Sequence, residues 1–311
     1  MMNLFVYTSL EEDLKAYLRK ELPATVQPFF KDELSGTQLE EAFHAAEIIM
    51  GNPPVDWFKQ MPPRLAFWQL ESAGFEKYQN LNMDAPVANM GDFYAQPCAE
   101  TMVGGILAFY RKIPLLVRSQ DKKEWLGNKI RLSLDLLGHK KVIVLGAGAI
   151  GQAIKQMLLG FECQVKLTAR RNPTADILSF EELLTALPET DLVINTLPGG
   201  LDKYVSAQFI QAMQPGSLYA SVGRGSTTDE EALVNALQTG KLVGAVLDVT
   251  EQEPLPETSS LWEMENVILT QHTGGGYMAE SEGKVKKLLL NLHRFLNKEE
   301  IQSRINLAQG Y

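Results

Sequence analysis

Cysteine is scarce in this chain: Cys98 and Cys163 are the two present in 311 residues. Two cysteines make neither a disulfide framework nor a metal-ligand spacing, so they read as small buried hydrophobes in a reducing compartment. Basic residues are outnumbered as well. With 29 Lys and Arg against 38 Asp and Glu, the formal net charge is -9, which argues against a broad grip on nucleic acid or an anionic membrane and leaves room for a local basic pocket. No apolar run is long enough to span a bilayer, and the start "MMNLFVYTSLEEDLKAYLRKELP" has no basic stretch before its apolar residues. The expectation is a cytoplasmic protein without membrane contact. Internal repeats, low-complexity segments and blocks of like charge are also missing. What remains, 45% hydrophobic and 22% charged, is an ordinary globular composition in a chain long enough for two compact domains.

Apolar strand-like runs alternate with amphipathic helical stretches almost from end to end, the pattern of parallel sheets with crossover helices. The fold class is therefore α/β. In the first third, "NLFVYTS", "AEIIMG" and "LAFWQL" read as strands, and "LEEDLKAYLRKEL" and "TQLEEAFHAA" as helices, giving a flavodoxin-like unit. From Pro97, "CAETMVGGILAFYRKIP" reads as a long helix leading into a second series of strands: "KKVIVLG", "VKLTA", "DLVINTL", "GSLYASV", "KLVGAVLDV" and "NVILT". Residues 277–297 read as one helix returning to the first domain. Two Rossmann/flavodoxin-like domains are thus expected, with a cleft between them: residues 1–96 with 279–311 as the substrate domain, and residues 97–278 as an inserted nucleotide-binding domain.

"KKVIVLGAGAIGQAIKQML" places Gly146, Gly148 and Gly151 directly after a buried strand and at the start of a helix. The first glycine permits a tight turn, the second lets a pyrophosphate approach the backbone, and the third lets helix pack on strand, so the stretch predicts dinucleotide binding. An acidic residue about 20 positions on would bond the ribose 2′-hydroxyl of NAD. Ala169 stands there instead, followed by Arg170 and Arg171. Guanidinium groups bind phosphate through charge-assisted bonds, which predicts NADP(H), with NAD(H) possible; two exposed arginines in a solvated turn are the alternative.

Four histidines are present. His44, His139 and His293 sit in helical or connecting patterns and read as surface or packing residues, whereas His272, in "NVILTQHTGGG", follows a strand's carboxyl end, where ligands of open α/β sheets bind. A histidine there can exchange a proton near neutral pH. Two other strand ends deliver Arg224, in "LYASVGRGSTTDEEAL", and Asp248 with Glu253, in "AVLDVTEQEPLP". Hydride transfer to a ketone needs a proton donor and a cation to hold the substrate's carboxylate and carbonyl, and Glu253 beside His272 would favour the charged imidazolium. The plainer readings are a solvated loop for "EQEP" and a helix-capping turn for "GRGSTTDEE", with Thr228 or Ser226 as cap and Asp229 and Glu230 in the first turn.

With these motifs in order, together with "ESAGFEKY" and "NTLPG", the chain resembles the D-isomer-specific 2-hydroxyacid dehydrogenase family over nearly its whole length. The resemblance implies that Arg224, Glu253 and His272 are catalytic. It also implies that Ser72, Ala73 and Gly74, with Arg224 and His272, bind substrate, the turn receiving its carboxylate. Cofactor contacts are implied at Gly146, Gly148, Ala149, Ile150, Gly151, Arg170, Arg171, Leu197, Pro198, Val222, Gly223, Asp248, Gly274 and Gly275, with Asp248 on the nicotinamide carboxamide and no metal. Ser221 and Gln271 depart from the family's usual Asn and Pro. The stretch at Ala169, Arg170 and Arg171 resembles NADPH-preferring glyoxylate and hydroxypyruvate reductases. The implied activity is NADPH-dependent reduction of a small 2-oxo acid to a D-2-hydroxy acid, by a homodimer joined through the nucleotide-binding domain with the helix of residues 98–114 near the interface. An NAD-linked dehydrogenase and a non-catalytic dinucleotide sensor remain the alternatives. Trp57 and Trp262 are candidates to line the substrate pocket or to serve packing alone.

Overall fold

The computed structural model describes residues 1–170, 172 and 175–309. Along the chain, β1 (Met2–Val6), α1 (Glu12–Glu21), β2 (Val26–Phe30), α2 (Thr37–His44), β3 (Ile48–Met50), β4 (Phe67–Gln69) and β5 (Val87–Ala88) come first. Helices α3 (Ala95–Tyr110), α4 (Ile113–Asp121) and α5 (Asn128–Arg131) follow, then β6 (Lys141–Leu145), α6 (Ala149–Leu159), β7 (Gln164–Thr168), α7 (Phe180–Ala186) and β8 (Leu192–Asn195). The remainder is α8 (Ala207–Ala212), β9 (Ser217–Ser221), α9 (Glu230–Gln238), β10 (Leu242–Leu247), β11 (Val267–Leu269), α10 (Glu280–Leu296) and β12 (Arg304–Ile305). Two compact units result: one is built from Met1–Phe93 and the segment from Tyr277 onward, and the other, Tyr94–Gly276, interrupts it in sequence.

The inserted unit holds an all-parallel sheet in the order β7-β6-β8-β9-β10-β11. Beyond β7 lies a single parallel bridge between Thr168 and Ile177, standing where the third strand of the Rossmann order 3-2-1-4-5-6 would be. Alternation along the strands divides the core into two layers. Val142 and Val144 of β6 meet Met102 and Ile106 of α3 and Ile154 and Leu158 of α6. Ile143 and Leu145 face the other way, onto Leu183 of α7, Phe209 of α8 and Leu233 of α9. Strands covered on both faces read as unbroken apolar runs, as "VIVL" of β6 does. The chain winds in opposite directions from β6, to β7 on one side and β8 on the other, so the switch point lies between β6 and β8.

The other unit has the order β12-β5-β4-β3-β1-β2, a flavodoxin-like 2-1-3-4-5 sheet with one strand added. All pairs are parallel except β12 with β5, an antiparallel strand added at the edge of the parallel sheet that was expected. Strand β2 went unread in the sequence. Its Pro28 argues against a strand, but β2 is paired on one side alone, where a missing N–H is tolerated. The last helix is shorter than the expected residues 277–297, running Glu280–Leu296. Ahead of α9, the cap is Asp229, whose Oδ1 accepts from Ala232 N–H at 3.2 Å, rather than Thr228 or Ser226; Ser226 and Thr227 are taken up by a 3₁₀ turn, Gly225–Thr227.

Helix α10 buries Val285, Leu288 and Leu292 at the 3- and 4-residue spacing of one face, against Leu4, Val6 and Phe67 of the sheet. Asn291 sits on that same apolar face, fully buried. Its Nδ2 donates to Gln69 Oε1 at 2.7 Å and Gln302 O at 3.0 Å, and its Oδ1 accepts from Gln302 N–H at 3.0 Å. Asn291→Ala would leave the buried Gln69 Oε1 without this donor and release both backbone groups of Gln302, a loss of about 2–3 kcal/mol. Urea unfolding should show a lower midpoint at an unchanged slope; an unaltered midpoint would contradict this account of how α10 is held.

Candidate active site

The glycine-rich turn follows β6 at the switch point. Gly146 takes a φ of 107°, and a Cβ there would lie 2.7 Å from Thr196 Oγ1. At Gly151 a Cβ would overlap the Gly146 carbonyl oxygen, which fixes the close approach of α6 to the turn. Gly148 differs, because a Cβ would meet nothing within 4 Å. The room beside it is open, and Gly148 and Ala149 are exposed. The first helical bond runs from Gln152 N–H to Gly148 O at 3.0 Å, leaving the preceding amides directed out of the helix start. Open space in front of N–H groups at a helix N-terminus fits the pyrophosphate of a dinucleotide.

At the end of β7, Ala169 is half-buried and donates its N–H to Ile177 O at 3.1 Å, while Arg170 is exposed. Burial raises the pKa of Tyr204 and the charge of Arg170 opposes the shift, which puts the guanidinium within electrostatic reach of that phenol. Arg171 lies outside the described residues. The nearby acid, Asp176, is committed to Leu167 N–H at 2.8 Å and Lys155 Nζ at 3.2 Å.

Three strand ends of the same sheet carry Arg224, Asp248 with Glu253, and His272. Past β11, Oε2 of Glu253 lies 2.6 Å from Nδ1 of His272. The other carboxylate oxygen of Glu253 accepts Thr250 N–H at 3.1 Å, so the acid is held from two sides. Both Gln271 and His272 adopt a φ of 55°, and Asp248 secures the loop that contains them. Buried at the end of β10, Asp248 accepts at Oδ1 from Thr270 Oγ1 (2.6 Å), Thr273 N–H (3.1 Å) and Gly274 N–H (3.0 Å). Its backbone oxygen takes His272 N–H at 2.6 Å. After β9, Arg224 is half-buried, with Nη1 donating to Gly223 O at 3.1 Å.

Beneath these loops lies a network that the sequence reading missed. Asn195, fully buried, donates to Tyr219 Oη at 3.0 Å and Thr227 Oγ1 at 2.8 Å, and accepts Leu197 N–H at 3.0 Å. Thr227 Oγ1 in turn donates to Arg224 O at 2.6 Å. The backbones at Leu197 and at Arg224 are thereby tied to one buried side chain, with Val222 N–H on Asn195 O at 2.9 Å. The signal available in the sequence was the "NTLPG" motif, which did not disclose what Asn195 touches. Gly223 is pressed against Leu197, where a Cβ would come 2.7 Å from Leu197 N. Gly274 lies beneath Asp248, and Thr101 Oγ1 donates to its carbonyl at 3.2 Å. Gly275 lies beside Tyr94 and Cys98. Ser221 is buried between these elements, its Oγ without a hydrogen bond among the described residues.

In the other unit, Ser72, Ala73 and Gly74 form a half-buried turn after β4. Trp57 packs among Phe5, Tyr7 and Phe43, whereas Trp262 lines a cavity of about 430 Å³ together with Asp248, Glu253, Leu255 and His272. Burial pushes the Cys98 thiol up to about 11, with Asp248 adding to the shift and Arg224 opposing it. Cys98 and Cys163 are both buried.

A Rossmann-type sheet with a glycine turn at its switch point and a histidine–carboxylate pair at its strand ends defines a dinucleotide-dependent class of α/β protein. The model of the D-isomer specific 2-hydroxyacid dehydrogenase NAD binding domain matches residues 103–274. Glyoxylate/hydroxypyruvate reductase B of Erwinia tasmaniensis is 29% identical over 317 residues, covering 95% of this chain and 96% of the relative. Among solved structures, a D-isomer specific 2-hydroxyacid dehydrogenase family protein from Aeromonas salmonicida superposes with a TM-score of 0.85 at 24% identity, covering 98% and 99% of the two chains. An NADPH-dependent glyoxylate/hydroxypyruvate reductase from Sinorhizobium meliloti, solved with NADP and sulfate, gives 0.84 at 20% identity and 100% coverage of both. The chain belongs to the D-isomer specific 2-hydroxyacid dehydrogenase family. It is an NAD(P)-dependent 2-hydroxyacid dehydrogenase.

Gly151→Ala forces α6 away from the Gly146 carbonyl. It should weaken NADPH and NADH binding alike, by about tenfold or more. Coenzyme fluorescence titration checks this, and wild-type affinity for either would refute it.

Proposed function

We propose that the protein is an NADP(H)-dependent reductase that converts a small 2-oxo acid of the glyoxylate or hydroxypyruvate type to a D-2-hydroxy acid. The observation that carries this reading is the 2.6 Å contact between Glu253 Oε2 and His272 Nδ1 at a strand's carboxyl end. The relatives named as glyoxylate/hydroxypyruvate reductases support the substrate class.

When bound, the coenzyme supplies the hydride. Everything else falls to the chain. Because Glu253 occupies Nδ1 of His272, the proton for the developing alkoxide comes from Nε2, and the carboxylate balances the charge of the imidazolium that gives it up. Arg224 holds the substrate's carbonyl and carboxylate, through charge and directed N–H groups. The turn of Ser72, Ala73 and Gly74 receives the carboxylate as an anion nest. Asp248 Oδ2 takes a single 3.3 Å bond from Gly274 N–H and so keeps acceptor capacity for the nicotinamide carboxamide. Leu197, Pro198, Val222 and Gly223 provide backbone and apolar contact around the coenzyme.

Arg170, with Arg171, binds the ribose 2′-phosphate. Supporting this are the exposed guanidinium of Arg170, Ala169 in place of an acid, and the commitment of Asp176 to Leu167 and Lys155. We infer further that the protein is a cytoplasmic homodimer joined through the nucleotide-binding unit, residues 97–278 in the sequence reading. The exposed apolar side chains of Ile113, Val117, Trp125, Leu132 and Leu136 beside α3 support a covered surface there.

His272→Ala should lower kcat by about 100-fold or more while leaving the NADPH dissociation constant within about twofold. Unchanged kcat rules out His272 as the proton donor. Arg170→Ala combined with Arg171→Ala should raise KM for NADPH by about tenfold or more and spare NADH. An equal loss on both coenzymes, or a wild-type kcat/KM that favours NADH, overturns the phosphate assignment.

A further inference from the structure

The turn of residues 72–74 treats its two backbone polarities differently. All three carbonyls are taken: Ser72 O accepts Met90 N–H at 3.0 Å, Ala73 O accepts Asn89 Nδ2 at 2.6 Å, and Gly74 O accepts Ser72 Oγ at 2.6 Å. The amides of the same three residues meet no acceptor among the described residues. Two asparagines produce the asymmetry. Asn52 donates through Nδ2 to Ser72 Oγ at 3.0 Å, so the hydroxyl, with one lone pair engaged, sends its own hydrogen to Gly74 O. Through Oδ1, Asn52 accepts Glu71 N–H at 3.2 Å, and reversing the carboxamide would break both bonds. Asn89 accepts Gly91 N–H through Oδ1 at 2.9 Å, which aims its Nδ2 at Ala73 O.

Both asparagines are themselves held. The carbonyls flanking Asn52 are bonded, Gly51 O by Trp68 Nε1 at 2.8 Å and Pro53 O by Tyr78 Oη at 2.7 Å. Asn89 is buried, with its N–H on Ser303 O at 3.0 Å. Neither carries charge. We propose that Asn52 and Asn89 are positioning residues for carboxylate recognition: by engaging the hydroxyl and the Ala73 carbonyl of this turn, they leave its N–H groups as donors for the substrate's carboxylate. The inference rests on the reading of the turn as the carboxylate site. Successive amides attract an anion only when the intervening C=O dipoles are turned away and kept there, and Asn52 and Asn89 do that without placing a net charge beside the substrate.

Steady-state kinetics of the full chain with NADPH, comparing glyoxylate with its methyl ester, tests this. Asn52→Ala and the isosteric Asn52→Asp, which cannot donate to Ser72 Oγ, should each raise KM for glyoxylate about tenfold. With the ester, KM should stay within about twofold, as should kcat and KM for NADPH. Asn89→Ala should act in the same direction through the Ala73 carbonyl. A loss that is equal for acid and ester overturns the inference, as does an unchanged glyoxylate KM in both Asn52 variants of an enzyme that prefers the acid. A wild-type enzyme that fails to prefer the acid over the ester overturns the reading of the turn itself, and the inference with it.

Discussion

The shape of the histidine loop depends on one buried carboxylate. Gln271 and His272 are consecutive non-glycine residues at positive φ, a conformation that costs on the order of 1–2 kcal/mol for each. Asp248 offsets that cost with three donors from residues 270, 273 and 274 converging on Oδ1. Without those bonds the backbone has no reason to hold His272 where Glu253 reaches Nδ1. The departure from the family's usual proline bears on the same point, since proline could not take the φ that Gln271 adopts here. In this chain the loop is shaped by hydrogen bonds to a buried acid.

A shared logic runs through both units. The candidate site residues sit on loops at strand ends, and each loop is tied down by a hydrogen-bonded polar side chain beneath it: Asn195 under Leu197 and Arg224, Asp248 under His272, Asn52 and Asn89 under the turn at Ser72. Buried polar groups of this kind are expensive unless fully bonded. Once bonded, they give short loops a single conformation. The apolar layers on the two faces of each sheet supply stability, and these side chains supply direction.

Much of the architecture was legible because its signals are local. The glycine spacing after "KKVIVL" reports a turn that side chains would obstruct, and Gly146 and Gly151 meet that obstruction in the structure. Unbroken apolar runs marked the buried strands, and α10 followed from its 3- and 4-residue periodicity. Strand β2 was hidden because Pro28 speaks against a strand until its edge position is known. The cap of α9 was misassigned among Ser226, Thr228 and Asp229, all competent caps, because the choice turns on a 3₁₀ turn that composition does not encode.

Residue types and spacing alone determined that this is a two-part α/β chain with a dinucleotide turn, and they put Arg224, Glu253 and His272 at strand ends, because hydrophobic period and glycine placement are properties of neighbours in sequence. Tertiary structure alone decided the 2.6 Å approach of Glu253 to His272, the carboxylate beneath the loop and the asparagines behind the turn. Those partners lie 16 to 26 residues apart. Which of them meet is set by strand order and register, and no local pattern along the chain carries that information.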